Sequence, residues 1–96
     1  MPGYQLRQSA LEDLKSIARY TEREWGIDQR NTYLRQLAGR FKWLGKNPTL
    51  GKRRDDVKEG YMCYPEGRHV IFYVIRHDHI EITGVLHENM DVMRHL

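Results

Sequence analysis

The sequence predicts an α+β domain of order β-α-α-β-β-β, with an N-terminal α-helical hairpin packed on a small antiparallel sheet. Three observations carry this. Apolar residues recur at helical spacing in two consecutive stretches before residue 47. After residue 60 the period changes to that of strands, and Val70 to Ile75 is β-branched and aromatic throughout. The chain has 96 residues, which suits one domain, 1–96, with a thin core and no large internal cofactor site.

Tyr4 and Leu6 alternate with polar residues, as in a short half-buried strand. Ser9-Ala10-Leu11-Glu12 reads as a capping box that opens a helix. Leu11, Leu14, Ala18, Thr21 and Trp25 continue it, with Ile17 beside them. Asp13 suits the positive end of its dipole, and Gly26 can end it in a left-handed conformation. Asp28 is placed to cap a second helix, whose apolar face is Leu34, Leu37, Phe41 and Leu44, edged by Tyr33 and Ala38. Gly45 is placed to end it, and Asn47-Pro48 prevents its resumption. A link of about three residues makes the two helices run back to back.

The segment 51–58 is polar and charged and predicts an exposed loop. Tyr61 to Tyr64 is a strand, Pro65-Glu66-Gly67 a turn, and Val70 to Ile75 a central strand buried on both faces. Arg76 to His79 turns tightly into a strand containing Ile80, Ile82 and Val85. The tail 88–96 reads as a short helix or a frayed end.

Composition narrows the function. The longest apolar run, Val70 to Ile75, is far short of the ~20 residues of a membrane-spanning helix. A lone cysteine, Cys63, excludes an intrachain disulfide framework, and residues 1–20 show no signal-peptide pattern, so a cytoplasmic location is expected. Sixteen Lys and Arg against 13 Asp and Glu give +3. The distribution says more. Residues 30–58 hold nine basic and two acidic side chains (+7), leaving seven basic and eleven acidic elsewhere (−4). No aromatic residues interleave the Lys52-Arg53-Arg54 run as stacking platforms for nucleic acid would require. An acidic protein segment is the better-matched partner, and no direct nucleic-acid or membrane binding is expected.

The five histidines, His69, His77, His79, His87 and His95, do not form a metal pattern. His77 and His79 flank a turn residue, and zinc needs three or four convergent ligands. No metal or cofactor is expected. Cys63 has no basic neighbour in sequence, as an inert thiol would. Phosphodiester cleavage would need a base, an acid and cations around the developing charge. Tyr61, Tyr64, Tyr73, Arg68, Arg76 and His87 are the groups available. Trp25, Tyr33, Trp43 and Leu50 do not all fit one inward stripe, so some of Trp25, Tyr33 and Trp43 are candidates for a partner-binding patch.

Several short strings, in this order and spacing, resemble one known family. They are Leu11-Glu12-Asp13-Leu14 with Ile17 and Tyr20, Trp25-Gly26, Asn47-Pro48, Leu50-Gly51 and Tyr64-Pro65-Glu66-Gly67. His69 to Tyr73, Ile80-Glu81-Ile82, Val85 to Asp91 and Arg94-His95-Leu96 follow. Together they resemble the ParE branch of the RelE/ParE toxin superfamily over nearly the whole chain. The resemblance implies a type II toxin that binds and poisons DNA gyrase and is neutralised by a ParD-like antitoxin with an acidic C-terminal segment. It implies binding without chemistry. The RelE-like alternative cuts mRNA on the ribosome, and it uses strand lysines where this chain has Met62 and Tyr64, and a late tyrosine that is missing here. The gyrase-facing candidates are His87, Asn89, Met90, Asp91 and Arg94. The antitoxin-facing candidates are Tyr33, Leu37 and Trp43, with Lys52, Arg53 and Arg54 contributing charge. Asn89 stands where many relatives carry arginine, so a non-toxic, antitoxin-binding module is a further alternative.

Overall fold

The computed structural model describes residues 3–95. The tail motif's last residue, Leu96, and the side chain of His95 lie outside the described part. The elements are β1 (Tyr4–Leu6), α1 (Gln8–Trp25), α2 (Ile27–Lys46), β2 (Lys52–Arg53), β3 (Tyr61–Glu66), β4 (His69–Ile75), β5 (Ile80–His87) and α3 (Val92–His95). A short 3-10 turn, Pro48–Leu50, follows α2. The predicted α+β order is therefore present, with one small strand added within the expected loop.

The helical hairpin is tighter than expected. Gly26 alone joins the helices, at φ +92°, a conformation that L side chains rarely adopt. Its amide donates to the Glu22 carbonyl (2.9 Å), and its own carbonyl accepts from Arg30 (3.1 Å). Asp28 thus lies in the first turn of α2 and does not cap it. The capping box at Ser9 does not form either. The Arg7 amide is still bonded to the Ile82 carbonyl (3.0 Å), so the helix begins directly at Gln8. Ser9 Oγ instead donates to the Thr83 carbonyl (2.6 Å), and Asp13 Oδ2 accepts from the Val85 amide (2.9 Å). These polar groups tie α1 to β5. Gly45 does not end α2 but is buried inside it, where an added Cβ would meet the Gly3 carbonyl at 2.9 Å.

The sheet order is β1-β5-β4-β3-β2. One correction concerns its sense: β1 pairs parallel with β5, in register Tyr4↔Ile80 and Leu6↔Ile82. Two helices and a β-meander separate these strands, ample chain for the crossover that a parallel pair needs. The other ladders are antiparallel. β3 extends through Pro65 and Glu66, so the hairpin turn is Gly67-Arg68.

Strand β4 is buried on both faces, as its β-branched run predicts. Ile71 and Tyr73 join Ala10, Ile17, Leu37, Phe41 and Leu44 on the helical side. Phe72 and Val74 pack with Tyr61, Cys63 and Leu86 on the other side, covered by Val57 and Val92. Arg54 lies over the Phe72 ring, 5.7 Å from its centroid. Folding therefore places a cation near Cys63 that sequence neighbours do not supply.

A register shift between Phe72 and Tyr73 leaves Thr83 as the extra residue of β5. The bulge inverts the strand's phase. Ile80 and Ile82 face the helices before it, and Val85 faces them after it. It also brings His87 opposite His69.

Candidate functional site

Sequence and fold together leave large apolar groups on the outside of the hairpin tip. Trp25 is 70% exposed and Tyr20 55%. Beneath them a groove of about 1010 Å3 opens between the helices, the β3–β4 turn and the C-terminal end of β5. Ile17, Tyr20, Thr21 and Trp25 of α1, with Gln29, Tyr33 and Gln36 of α2, form one wall. Gly67, Arg68, His69, Val85, His87 and Met90 form the other. Such a patch of aromatic surface rimmed by polar residues is the signature of a protein-binding site.

Tyr33 is the hinge between the two walls. Its hydroxyl lies 2.6 Å from His69 Nδ1 and accepts the Arg68 amide at 3.2 Å. Gly67, at φ +59°, passes under the ring, where an added Cβ would come within 2.7 Å of the tyrosine. Burial raises the Tyr33 pKa, so the hydroxyl keeps its proton. The His69 and His87 rings meet edge to face, 5.5 Å between centroids. His87 Nδ1 accepts the Asn89 amide (3.2 Å), and the His87 amide donates to Met90 Sδ (3.3 Å). Each imidazole is thus held by one nitrogen to its own neighbourhood.

Burial, then the neighbouring His87, lowers the His69 pKa from 6.5 to about 4. The folded protein therefore binds fewer protons at this site than the unfolded chain. Stability from this residue is complete above pH 6.5 and is lost as pH falls towards 4. Urea titrations should show stability rising between pH 4 and 6.5, and His69→Asn should flatten the upper part of that rise. Carboxylates such as Glu81, lowered by the Arg76 and Arg7 hydrogen bonds, add their own slope below about pH 5.5, so the His69 contribution is read between about pH 5.5 and 6.5.

The other candidates are dispersed. Leu37 is fully buried and is part of the core, not of a groove: it lies on the inward face of α2 among Ile71, Tyr73 and Phe41. Leu37→Ala should lower unfolding free energy by about 2–5 kcal/mol, measured by chemical denaturation, whatever it does to binding. Trp43 also lies outside the groove. It packs on Tyr64 (5.2 Å), and Arg40 lies 4.8 Å from the Trp43 ring and 5.0 Å from Tyr64. Arg40 in turn bonds Glu66 at 2.6 Å, as does Gln36. Burial works to raise the Glu66 pKa, but these two donors hold it below the usual value.

Lys52 and Arg53 form the exposed strand β2, away from the groove. Arg53 pairs with Asp55 (2.8 Å) and Arg54 with Asp56 (2.9 Å), so much of the loop's positive charge is neutralised where it arises. Of the C-terminal set, His87 and Met90 line the groove. Asn89 is exposed beside them, and Asp91 accepts the Met93 amide (3.1 Å) at the start of α3. Arg94 is exposed on α3.

The sequence offered no reason to join Tyr20, Arg68 and His69 to this site. The available signal was the His69–His87 pairing, which depends on the bulge. Among the described residues, no group of three or more His, Cys, Asp or Glu side chains could hold a metal, and no helix is long and apolar enough to cross a membrane.

Fold and groove together define a small α+β domain with an open, aromatic-rimmed groove along its helical hairpin. The chain belongs to the ParE toxin family of type II toxin–antitoxin (parDE) systems, whose sequence model matches residues 4–92. It is 33% identical to a ParE1 toxin of Caulobacter vibrioides over 96 residues, covering 100% of this chain and 99% of that one. It is 36% identical to a ParE1 toxin of Mycobacterium tuberculosis over 94 residues, covering 97% and 96%. The fold is that of a chain in a chromosomal ParDE system of P. aeruginosa, with a TM-score of 0.77 at 15% identity and 91% and 96% coverage. It is also similar to a chain of the RelBE2 toxin–antitoxin complex of Mycobacterium tuberculosis, with a TM-score of 0.60 at 22% identity and 91% and 99% coverage.

Proposed function

We propose that this toxin inhibits DNA gyrase by binding it, and that a ParD-like antitoxin neutralises it by filling the groove beneath Trp25. One observation carries the reading. The groove brings Tyr33, an antitoxin-facing candidate, together with His87 and Met90, both gyrase-facing candidates. A single helix laid there contacts the first and hides the other two. Inhibition is then steric, and the antitoxin and the target exclude each other.

Binding without chemistry is supported by the state of the polar groups. His69 is neutral and held by Tyr33, and His87 is held through Nδ1. Met62 is buried in β3, and Tyr64 stacks on Trp43, where a nuclease of the related branch needs lysines. Among the described residues Arg68 is the only Lys or Arg lining the groove, a sparse set for stabilising a phosphorane.

The test is purified toxin in a gyrase supercoiling assay, with a parallel translating extract. Loss of supercoiling with trapped, cleaved DNA, reversed by the antitoxin encoded beside the toxin, is the expected result. Full supercoiling at excess toxin, with mRNA cut at A-site codons, would replace this reading with the nuclease one. Full supercoiling and intact mRNA, with antitoxin binding retained, would leave a non-toxic binding module.

A further inference from the structure

The segment proposed to face gyrase begins with the turn after β5, residues 88–91, and runs on into α3. Most of its bonds are local. The Met90 amide donates to the His87 carbonyl (2.9 Å) and the Arg94 amide to the Asp91 carbonyl (3.1 Å). At the far end Val92 packs on the outer face of the sheet. At the near end the Glu88 amide donates to the Arg68 carbonyl (3.0 Å). Among the described residues this is the turn's one backbone bond to a distant part of the chain.

Arg68 itself is exposed and lies in the two-residue β3–β4 turn, beside Gly67 at φ +59°. Its amide is anchored on Tyr33 of α2, whose hydroxyl accepts it at 3.2 Å. The same oxygen lies 3.3 Å from the Glu66 carbonyl and 2.6 Å from His69 Nδ1. A second route leaves from that atom. The His69 ring meets the edge of His87, and His87 Nδ1 accepts the Asn89 amide. One route therefore runs through Arg68 to Glu88, and the other through His69 and His87 to Asn89. Both converge on a single hydroxyl oxygen of the helical hairpin.

We infer that Tyr33 is a positioning residue for gyrase binding: its hydroxyl pins the Gly67-Arg68 turn to α2 and so presets the conformation in which residues 88–91 meet gyrase. This rests on the reading that those residues face gyrase. It is a role separate from lining the groove, which the half-buried ring performs without its oxygen. Without the hydroxyl the Arg68 amide loses its acceptor, and the turn loosens while the strand ladders remain. A segment that must be ordered on binding binds more weakly than one already ordered. The loss then falls on the concentration needed and not on the maximal effect.

The test compares full-length wild-type toxin with Tyr33→Phe, which keeps the ring and removes the oxygen. In a gyrase supercoiling assay the variant should raise the half-inhibitory concentration roughly tenfold and still abolish supercoiling at saturating toxin. Amide exchange in the free variant should be faster at Arg68, Glu88 and Asn89, and unchanged at Phe72 inside the β4 ladders. Tyr73→Phe is the control. It also loses one tyrosine hydrogen bond, to the Pro48 carbonyl, and should leave the half-inhibitory concentration unchanged. An equal shift in Tyr73→Phe would reduce the effect to general stability and overturn the inference. So would unchanged potency of Tyr33→Phe beside an active wild type. Lost potency with unchanged exchange would make the hydroxyl itself a gyrase contact, overturning the positioning role. Wild-type toxin that leaves gyrase active at excess would overturn the gyrase reading, and this inference with it.

Discussion

Gly51→Ala should destabilise the fold by ~3 kcal/mol. Gly51 follows the Pro48–Leu50 turn and lies against the Tyr73 hydroxyl and the Cys63 carbonyl. An added Cβ would stand 2.9 Å from that carbonyl oxygen and closer still to the tyrosine oxygen. Neither neighbour can give way. Cys63 is locked in the β3 ladder, and Tyr73 is fully buried with its hydroxyl donating to the Pro48 carbonyl (2.7 Å). Burial pushes the Tyr73 pKa up to about 12, so that hydroxyl remains a donor over the whole working pH range. The backbone of Gly51 itself is ordinary, at φ −75°, so the penalty is overlap and not torsional strain. Thermal unfolding checks this, since each kcal/mol moves the midpoint about 4–8 °C in a domain of this size. Tyr73→Phe alone should cost about 1 kcal/mol for the lost hydrogen bond. Combined with Gly51→Ala, it should cost less than the sum, because the clashing oxygen is gone. Strict additivity would mean that the overlap is not the cause.

The second large effect concerns binding. Trp25→Ala should weaken antitoxin binding by about 2–4 kcal/mol, the range of a central aromatic anchor. Trp25 is the most exposed aromatic residue on the groove's wall and contributes little to the core. Its removal should therefore leave the unfolding midpoint nearly unchanged. Titration calorimetry against the antitoxin, with thermal unfolding of the free variant as control, separates the two. Unchanged affinity would move the antitoxin away from this groove.

Much of the fold was legible because local signals and packing agree. Leu37, Phe41 and Leu44 recur at the helical period and are the residues that α2 buries. The β-branched run of β4 is buried on both faces, as a central strand should be. What escaped the sequence depended on distant partners. Ser9 and Asp13 have the chemistry of a helix N-terminus, but in the fold they bond to β5. The parallel pairing of β1 cannot be read from three residues of alternation. Lys52 and Arg53 looked like loop residues because a two-residue edge strand has no period of its own.

The candidate site divides in the same way. His87 and Met90 were placed by resemblance and lie in the groove. Periodicity showed Leu37 to be apolar at the right spacing, and an inward face satisfies that as well as a groove does. Trp43 and Arg54, antitoxin-facing candidates by sequence, are each taken up by neighbours, Trp43 by Tyr64 and Arg40, Arg54 by Asp56 and Phe72. His69 entered the groove through the Thr83 bulge, which no sequence pattern announces.

In the proposed function, antitoxin and gyrase compete for one groove. A photo-crosslinking amino acid at position 90 reports on it directly. This position should capture gyrase when toxin and gyrase are mixed alone. It should capture the antitoxin, with loss of the gyrase adduct, once the antitoxin is added. Adducts to gyrase that persist undiminished at saturating antitoxin would contradict it.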